Sequence, residues 1–401
     1  MMLTYCTNIH PAESWEDIFA NLRKYVPAIK ARVSPGAPFP IGLRLSGRAA
    51  GEMRLAALQR FREWCEKEDC FVSTVNGFPY GNFHNAPIKE SVYLPDWRHP
   101  ERLRYTKRLA ELLALWLPYG GRGSISTVPL GFRSRIRPWD LVVIRYHLRR
   151  TLEFLDHLAQ TTGKEICLAL EPEPGCYLET TPDVVRFFEK LDLPPHLRPF
   201  LAICYDCCHQ ALQFEDPVQS LQLLASNDIR IGHVQVSSAL SLKDPDIGKL
   251  ARFAEPCYLH QTVGRRVDGS LWRFTDLDVA MAAAPKDVEE WRVHFHVPVF
   301  LEYLSDCDST QPFLKKILPL FPAGVSLEVE TYTWTVLPKD LQMSTVTKSI
   351  VREIEWVRKF RAAPSPQPES HLAEASAENE VWPAEHFDKP VSCGNHIGLP
   401  G

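Results

Sequence analysis

Three short apolar segments in the middle of the chain end in side chains that could hold a metal ion or move a proton. Each segment is bounded by residues that break regular structure, as a buried strand is. The segments and the polar residues that follow them are 166–170 with Glu171, 201–205 with Asp206 and His209, and 229–232 with His233 and Gln235. In an eight-stranded α/β barrel the active site lies at the carboxyl ends of the strands, so these side chains would meet there.

Glu328 is a fourth residue of this kind, because it lies in a later apolar segment at 325–334. With Glu171, Asp206 and Gln235 it offers three carboxylates and one amide oxygen. An all-oxygen site suits Mg²⁺ or Mn²⁺ better than Zn²⁺. A divalent ion there would polarise the carbonyl of a sugar-like substrate, and a carboxylate would move a proton between carbons through an enediolate.

The order of predicted elements provides the scaffold for these residues. Up to about residue 232 seven predicted apolar strands alternate with amphipathic helices. Strict alternation predicts a parallel sheet with right-handed connections. Seven units and one more predict a closed (β/α)8 TIM barrel.

Two segments compete for the eighth strand, at 292–300 and at 325–334. We favour the second, because a predicted helix at 344–360 follows it and completes the ring. Residues 240–304 then become an insertion after strand seven that forms part of the barrel mouth. The barrel accounts for residues 1–361, and the Pro-, Ser- and Glu-rich composition of 362–401 predicts a disordered tail.

The strand-end motifs resemble those of the xylose-isomerase-like TIM barrels, the sugar phosphate isomerase/epimerase superfamily. The motifs that carry the resemblance are Leu170-Glu171-Pro172, Asp206-Cys207-Cys208-His209, His233-Val234-Gln235 and Leu327-Glu328. The resemblance implies that Glu171, Asp206, Gln235 and Glu328 are metal ligands, and that Glu171 and Glu328 are also the catalytic acid/base residues. The His-x-Gln form looks like the hydroxypyruvate isomerase branch, but the Gly-Glu signature of that branch does not follow Gln235.

Up to about residue 360 the chain more specifically resembles EboE, the TIM-barrel family of the Ebo metabolite-traffic gene clusters. The motifs that carry this resemblance are at 3–10, 124–130, 294–300 and 327–334. The resemblance implies a role in secondary-metabolite traffic, with membrane-protein partners from the same gene cluster. Two functions therefore stay open: a metal-dependent isomerase or epimerase, and a non-catalytic protein that binds a metabolite and hands it to membrane partners for export.

Further candidate substrate-binding residues lie near other strand ends. They are His209, His233, Asn8, His10, Asn76, His84, Lys89, His294 and His296. The loop residues have an alternative role in a packed turn. The two histidines of the 292–300 segment share one strand face, and both can instead be buried and hydrogen-bonded without a ligand.

The register of the strands leaves two further alternatives open. Glu173 and Glu330 compete with Glu171 and Glu328, because a step of two residues keeps the same strand face. Zinc binding through Cys207 and Cys208 is disfavoured, because adjacent side chains of a strand face opposite ways and no Cys-x-x-Cys motif occurs elsewhere.

Composition excludes several classes of partner. Hydrophobic residues make up 45% and charged residues 23% of the 401, with a formal net charge of -4. These values predict a globular protein and give no electrostatic case for binding nucleic acid or an anionic membrane. No apolar segment approaches the roughly 20 residues that span a bilayer. The N-terminal sequence lacks signal-peptide features, and the 11 cysteines fit reduced thiols, so we expect a cytoplasmic protein without direct membrane insertion.

Overall fold

Short apolar strands alternate with helices through most of the chain, in a computed structural model that describes residues 2–84, 86–342 and 344–362. The strands are β1 Leu3–Tyr5, β2 Phe39–Arg44, β3 Cys70–Asn76, β4 Arg122–Thr127, β5 Glu165–Leu170, β6 Leu201–Asp206, β7 Ile231–Val236, β8 Ser238–Leu242, β9 Thr262–Arg266, β10 Leu271–Phe274, β11 Val288–Val297, β12 Tyr303–Leu304, β13 Cys307–Ser309 and β14 Ser326–Val329. The helices are α1 Trp15–Val33, α2 Gly47–Glu52, α3 Leu55–Lys67, α4 Pro100–Trp116, α5 Asp140–Thr162, α6 Thr181–Lys190, α7 Cys207–Leu212, α8 Pro217–Ser226, α9 Leu277–Ala283, α10 Gln311–Ile317 and α11 Val346–Arg361. The tail predicted for 362–401 lies outside the described residues, apart from Ala362.

Eight of these strands form one parallel sheet in the order β1-β14-β7-β6-β5-β4-β3-β2. A parallel bridge between Cys6 and Gly42 joins the two end strands. The predicted (β/α)8 barrel is therefore confirmed. The choice of the last strand is confirmed as well, because β14 pairs with β1 and β7.

The insertion after the seventh barrel strand forms a second, antiparallel sheet in the order β10-β9-β11-β8-β13-β12. It begins immediately after the barrel strand, since Ser237 alone separates β7 from β8. This sheet contains β11, the segment that had competed for the eighth barrel position. The insertion predicted at 240–304 thus extends in the structure from Ser238 to Ser309.

Local signals fix most helix starts. Ser14 accepts a hydrogen bond from the backbone N–H of Asp17, and Thr180 forms a capping box with Asp183, as N-cap chemistry favours. One predicted boundary is wrong. The strand predicted for 229–232 is observed at 231–236, so that His233 and Gln235 lie within it.

None of the helices in the described part of the chain has the length and apolar character needed to cross a membrane. The nine buried cysteines among the described residues are free thiols.

One buried carboxyl group connects three parts of the barrel wall. Glu353 of α11 accepts hydrogen bonds from the backbone N–H of Val299 (3.2 Å), the hydroxyl of Thr331 (2.7 Å) and the hydroxyl of Ser349 (3.3 Å). Val299 follows β11, Thr331 follows β14 and Ser349 lies on α11 itself. Burial raises the pKa of Glu353 to about 7, although its hydrogen bonds partly offset the effect.

We expect this pKa to make stability depend on pH. The ordinary pKa of a glutamate is 4.5, so between about pH 4.5 and 7 the unfolded chain loses a proton that the folded chain keeps. The free energy of unfolding should therefore fall by roughly 3 kcal/mol as the pH rises through this window. Urea denaturation of the wild type and Glu353→Gln at pH 4.5 and pH 8 measures the difference. Parallel pH profiles for the two proteins would contradict the expectation.

Candidate functional site

The carboxyl ends of the barrel strands bring buried acidic side chains together. Parallel pairing aligns Asp206 with Gln235 and Gln235 with Glu328. Side chains of aligned residues share one face of a sheet, so these three form one layer inside the barrel. Glu171 lies one residue beyond the end of β5, and Glu330 lies two residues beyond Glu328.

Three carboxylates form the closest acidic group. Oxygen atoms of Glu171, Asp206 and Glu330 lie within 4.8 Å of one another. All three residues are buried, with at most 4% of their surface exposed. Glu330 accepts hydrogen bonds from the amides of Asn8 (2.8 Å) and Asn76 (3.1 Å).

Asp206 is held in place by two hydrogen bonds to one of its carboxylate oxygens. Its Oδ1 atom accepts them from the hydroxyl of Ser237 (2.7 Å) and from the backbone N–H of His209 (3.1 Å). The second bond makes Asp206 the N-cap of α7. Among the residues that the structure describes, its Oδ2 atom has no hydrogen-bond partner. One oxygen therefore fixes the side chain and the other faces the site.

Several buried polar atoms of the predicted ligands share this lack of a partner. They are Glu171 Oε2, Asp206 Oδ2, Glu328 Oε2 and both amide atoms of Gln235. Unpartnered buried polar groups are rare in folded proteins and indicate a bound group or a functional role. The donor set is carboxylate and amide oxygen, which fits a hard divalent cation.

The electrostatics of the acidic group also favour a bound cation. Burial raises the pKa of Glu171 well above its ordinary value, and the neighbouring charges of Asp206 and Glu173 raise it further. Burial and the charges of Glu171 and Asp206 likewise raise the pKa of Glu330 well above its ordinary value. Like charges in a buried site hold protons unless a cation compensates them. The site therefore binds either protons or a cation.

Glu328 lies apart from the group formed by Glu171, Asp206 and Glu330. Its Oε1 accepts a hydrogen bond from the Thr74 hydroxyl, and β2 makes room for it at Gly42. A Cβ atom at that glycine would come within 2.7 Å of the Glu328 carboxyl carbon and 2.9 Å of the Tyr5 carbonyl oxygen. Burial raises the pKa of Glu328 to about 8.

Three histidines adjoin the acidic group. His209 comes from α7, whereas His294 and His296 come from β11 of the insertion. The Nε2 atom of His294 lies 3.2 Å from that of His209 and 3.1 Å from that of His296. Burial lowers the pKa of His294 well below its ordinary value and that of His296 to about 4.

A cavity of about 60 Å³ opens among these groups. Polar residues on its wall include Glu171, Glu173 and Glu330. Five of the predicted substrate-binding residues also line it, namely Asn8, Asn76, Lys89, His209 and His294. Lys89 itself forms an ion pair with Asp276 at 2.7 Å.

The structure does not bring every candidate to the cavity. His84 lies behind the wall, where it contacts the Asn8 carbonyl (2.7 Å) and the Tyr258 hydroxyl (2.7 Å). His10 stacks on the ring of Tyr25.

His233 is buried inside the barrel below the mouth. Its two ring nitrogens contact the Ser124 hydroxyl (2.8 Å) and the Cys204 thiol (3.3 Å). It therefore lies beneath the acidic layer and is not among the cavity-lining residues.

Residues that the sequence did not single out complete the wall. The hydroxyl of Tyr93 donates a hydrogen bond to Glu173 (2.7 Å) and accepts one from the Gln261 amide (2.7 Å). Tyr258 and Tyr332 pack against each other over the cavity, with ring centroids 5.0 Å apart. Tyr332 shares a predicted strand segment with Glu328 and Glu330, which was a usable signal, whereas nothing in the local sequence marks Gln261.

A larger cavity, of about 630 Å³, opens at the opposite end of the barrel. Ser73, Ser124, Gly232 and Ser326 line it at the amino ends of the strands. In TIM barrels the chemistry occurs at the carboxyl ends, and the clustered carboxylates lie there. The smaller cavity is therefore the candidate active site.

No protein-family model matches the chain, and no curated protein matches it by sequence. Solved structures with a similar fold include a xylose isomerase-like TIM barrel protein and sugar epimerases. One is a xylose isomerase-like TIM barrel protein from Mycobacterium smegmatis in complex with magnesium, with a TM-score of 0.50 and 11% identity over 90% of this chain and 96% of that one.

Two sugar epimerases have lower structural similarity. L-ribulose 3-epimerase has a TM-score of 0.48 and 10% identity over 89% of this chain and 95% of its own. D-psicose 3-epimerase from Clostridium cellulolyticum H10 has a TM-score of 0.47 and 12% identity over 90% and 98%. At 11% identity, the similarity to the magnesium-bound protein from Mycobacterium smegmatis shows the fold alone, that of a xylose-isomerase-like TIM barrel.

Proposed function

We propose that this protein is a metal-dependent isomerase or epimerase of a small hydroxy-carbonyl metabolite. The observation that carries the proposal is the group formed by Glu171, Asp206 and Glu330, whose oxygens lie within 4.8 Å of one another. The buried, unpartnered oxygens of Glu171 and Asp206 would complete their bonding with a cation. A fold alone does not establish a function, so the proposal depends on this group.

Glu171, Asp206 and Glu330 would hold the ion, with Gln235 offering its amide oxygen beside them. Four oxygen donors suit Mg²⁺ or Mn²⁺ better than Zn²⁺. When bound, such an ion supplies charge that polarises a substrate carbonyl. The other tasks belong to the chain, which must bind the substrate, exclude water and move a proton.

Isomerisation through an enediolate needs one base that removes a proton, and epimerisation needs a second acid on the opposite face of the substrate. In the proposed reaction, Glu171 removes the proton from the carbon next to the carbonyl, and the C–H electrons form the enediolate. A second carboxyl group returns a proton to the neighbouring carbon or to the opposite face. We assign Glu330 to this second position over Glu328, because Glu330 lines the cavity while Glu328 is hydrogen-bonded to Thr74 beneath it.

The surrounding residues would orient the substrate. The amides of Asn8 and Asn76 hold Glu330, and His209 lies in the cavity wall. A cavity of about 60 Å³ is well below the roughly 300–1,000 Å³ of small-molecule binding pockets. The aromatic cover formed by Phe83, Tyr258 and Tyr332 must therefore move to admit a sugar-sized substrate.

A second candidate is a non-catalytic metabolite-binding protein that hands a precursor to membrane partners for export, as the EboE resemblance implies. The apolar cover over the cavity favours this alternative. Phe83, Ile88, Tyr258 and Tyr332 form a separate hydrophobic cluster there. In either role, the EboE resemblance implies a secondary-metabolite traffic pathway in the cytoplasm, where buried cysteines such as Cys204 and Cys208 would remain reduced.

Metal binding is the first test of the proposal. We expect Mg²⁺ at 100 times its dissociation constant to stabilise the metal-stripped protein by about 2.7 kcal/mol. Glu330→Gln should abolish most of this gain and should stabilise the metal-free protein, because one of three clustered charges is removed. Thermal unfolding with and without Mg²⁺ measures both effects. Glu165→Gln, at the opposite end of β5 from Glu171, is the matched control; equal shifts in all proteins would contradict the assigned site.

Proton exchange is the second test. We expect the wild type to incorporate deuterium from D2O at the carbon next to the carbonyl of at least one member of a panel of small ketoses and α-hydroxy ketones. Glu171→Gln should slow this exchange by at least about 100-fold, as loss of a general base does, while Glu165→Gln should not. Mass spectrometry of the recovered compounds reads the exchange. No exchange with any compound, together with Mg²⁺-independent ligand binding, would favour the carrier role.

A further inference from the structure

Three imidazole rings from separate parts of the chain converge beside the acidic group. His294 and His296 alternate along β11 and share one face of that strand, and His209 reaches them from the first turn of α7. None of the three is more than 4% exposed. Because β11 belongs to the insertion, this cluster exists only where the second sheet packs on the barrel.

In each ring the hydrogen bond at Nδ1, the nitrogen that points away from the other rings, determines which nitrogen carries the proton. The Nδ1 atom of His209 contacts the Pro172 carbonyl oxygen at 2.8 Å, and that of His296 contacts the Glu330 carbonyl oxygen at 2.9 Å. A carbonyl oxygen only accepts, so each Nδ1 carries the proton and donates it. The neutral ring then presents a bare lone pair on Nε2.

The third ring is fixed in the same way by a side chain. The Nδ1 atom of His294 contacts Gln261 Oε1 at 2.7 Å. The orientation of that amide is set by its other end, because Gln261 Nε2 donates to the Pro174 carbonyl oxygen at 3.0 Å and to the Tyr93 hydroxyl at 2.7 Å. Outer partners of this kind orient histidines that bind metals.

Three lone pairs therefore face one another without a proton between them. The Nε2 atoms are 3.1 Å (His294 to His296) and 3.2 Å (His209 to His294) apart. The Tyr332 hydroxyl reaches only His294 Nε2, at 3.4 Å, which is longer than an ordinary hydrogen bond. The arrangement is repulsive unless a cation lies among the rings.

We propose that His209, His294 and His296, together with Asp206, bind a Zn²⁺-like ion at a second metal site, distinct from the site for the hard cation. Zn–N bonds of 2.0–2.1 Å in tetrahedral geometry place neighbouring nitrogens about 3.3 Å apart, close to the spacing found here. Imidazole donors suit Zn²⁺, Fe²⁺ and Co²⁺ over Mg²⁺.

Asp206 supplies the fourth donor and connects the two sites. A ligand atom of Asp206 lies within 4.8 Å of those of His209 and His296, and also within 4.8 Å of those of Glu171 and Glu330. Its unpartnered Oδ2 atom lies 3.7 Å from His209 Nε2. The two ions would share this carboxylate, as the metals of two-metal sites do. The second site goes beyond the proposed reaction, since its occupancy does not depend on any substrate.

Co²⁺ binding to the metal-stripped full chain tests the proposal. With Mg²⁺ in excess, we expect one equivalent of Co²⁺ to bind, with the visible absorption of a four-coordinate ion, and Zn²⁺ to displace it. His294→Gln and His296→Gln should each abolish this absorption. His147→Gln is the control, because His147 is a buried histidine on α5 whose Nδ1 atom contacts the Trp97 carbonyl oxygen. Thermal unfolding shows whether each variant is folded.

Two further variants separate the sites and address folding. Glu330→Gln should keep the Co²⁺ absorption while losing stabilisation by Mg²⁺, so failure of the proposed function leaves the Co²⁺ result intact. Gln261→Met leaves the three ligands in place and should weaken Co²⁺ binding by about 10- to 100-fold through loss of an outer hydrogen bond. Absence of the four-coordinate spectrum in the wild type, or an unchanged spectrum in both histidine variants, would overturn the second site.

Discussion

The burial of acidic side chains without lysine or arginine partners is the constraint on which the mouth of this barrel depends. Glu171, Glu173, Asp206, Glu328 and Glu330 are all at most 7% exposed. Within the described residues, no lysine or arginine forms an ion pair with any of them. A buried charge that is neither paired nor protonated is costly, so the mouth must take up protons, hydrogen-bond donors or cations. Asn8, Asn76, Thr74 and Ser237 supply some of the donors.

The insertion shapes how this constraint is met. Because only Ser237 separates β7 from β8, the second sheet begins directly at the barrel wall. Its strand β11 lies over the mouth of the barrel. That strand adds His294 and His296, whose outer nitrogens are held by Gln261 and by the Glu330 backbone. The mouth thus has an oxygen-rich side from the barrel and a nitrogen-rich side from the insertion, with Asp206 between them.

Sequence patterns predicted the barrel well because each unit is local. A short apolar run followed by an amphipathic helix can be recognised within about 30 residues, and the caps at Ser14 and Thr180 come from side chains adjacent to their helices. The same patterns placed strand seven two residues early, because Ile229 continues the apolar run although the regular strand begins at Ile231. Polar residues at buried positions of that strand, such as His233, hid its true extent.

The sequence by itself determined which acidic residues end the barrel strands, since alternation along a strand and the direction of a parallel sheet follow from local order. Only the tertiary structure decided that Glu330, and not Glu328, meets Glu171 and Asp206, because strand register sets depth inside a barrel and a shift of two residues keeps the same face. Only the tertiary structure brought His209 to within 3.2 Å of His294. Those residues are 85 positions apart, and their meeting depends on how the second sheet packs on the first.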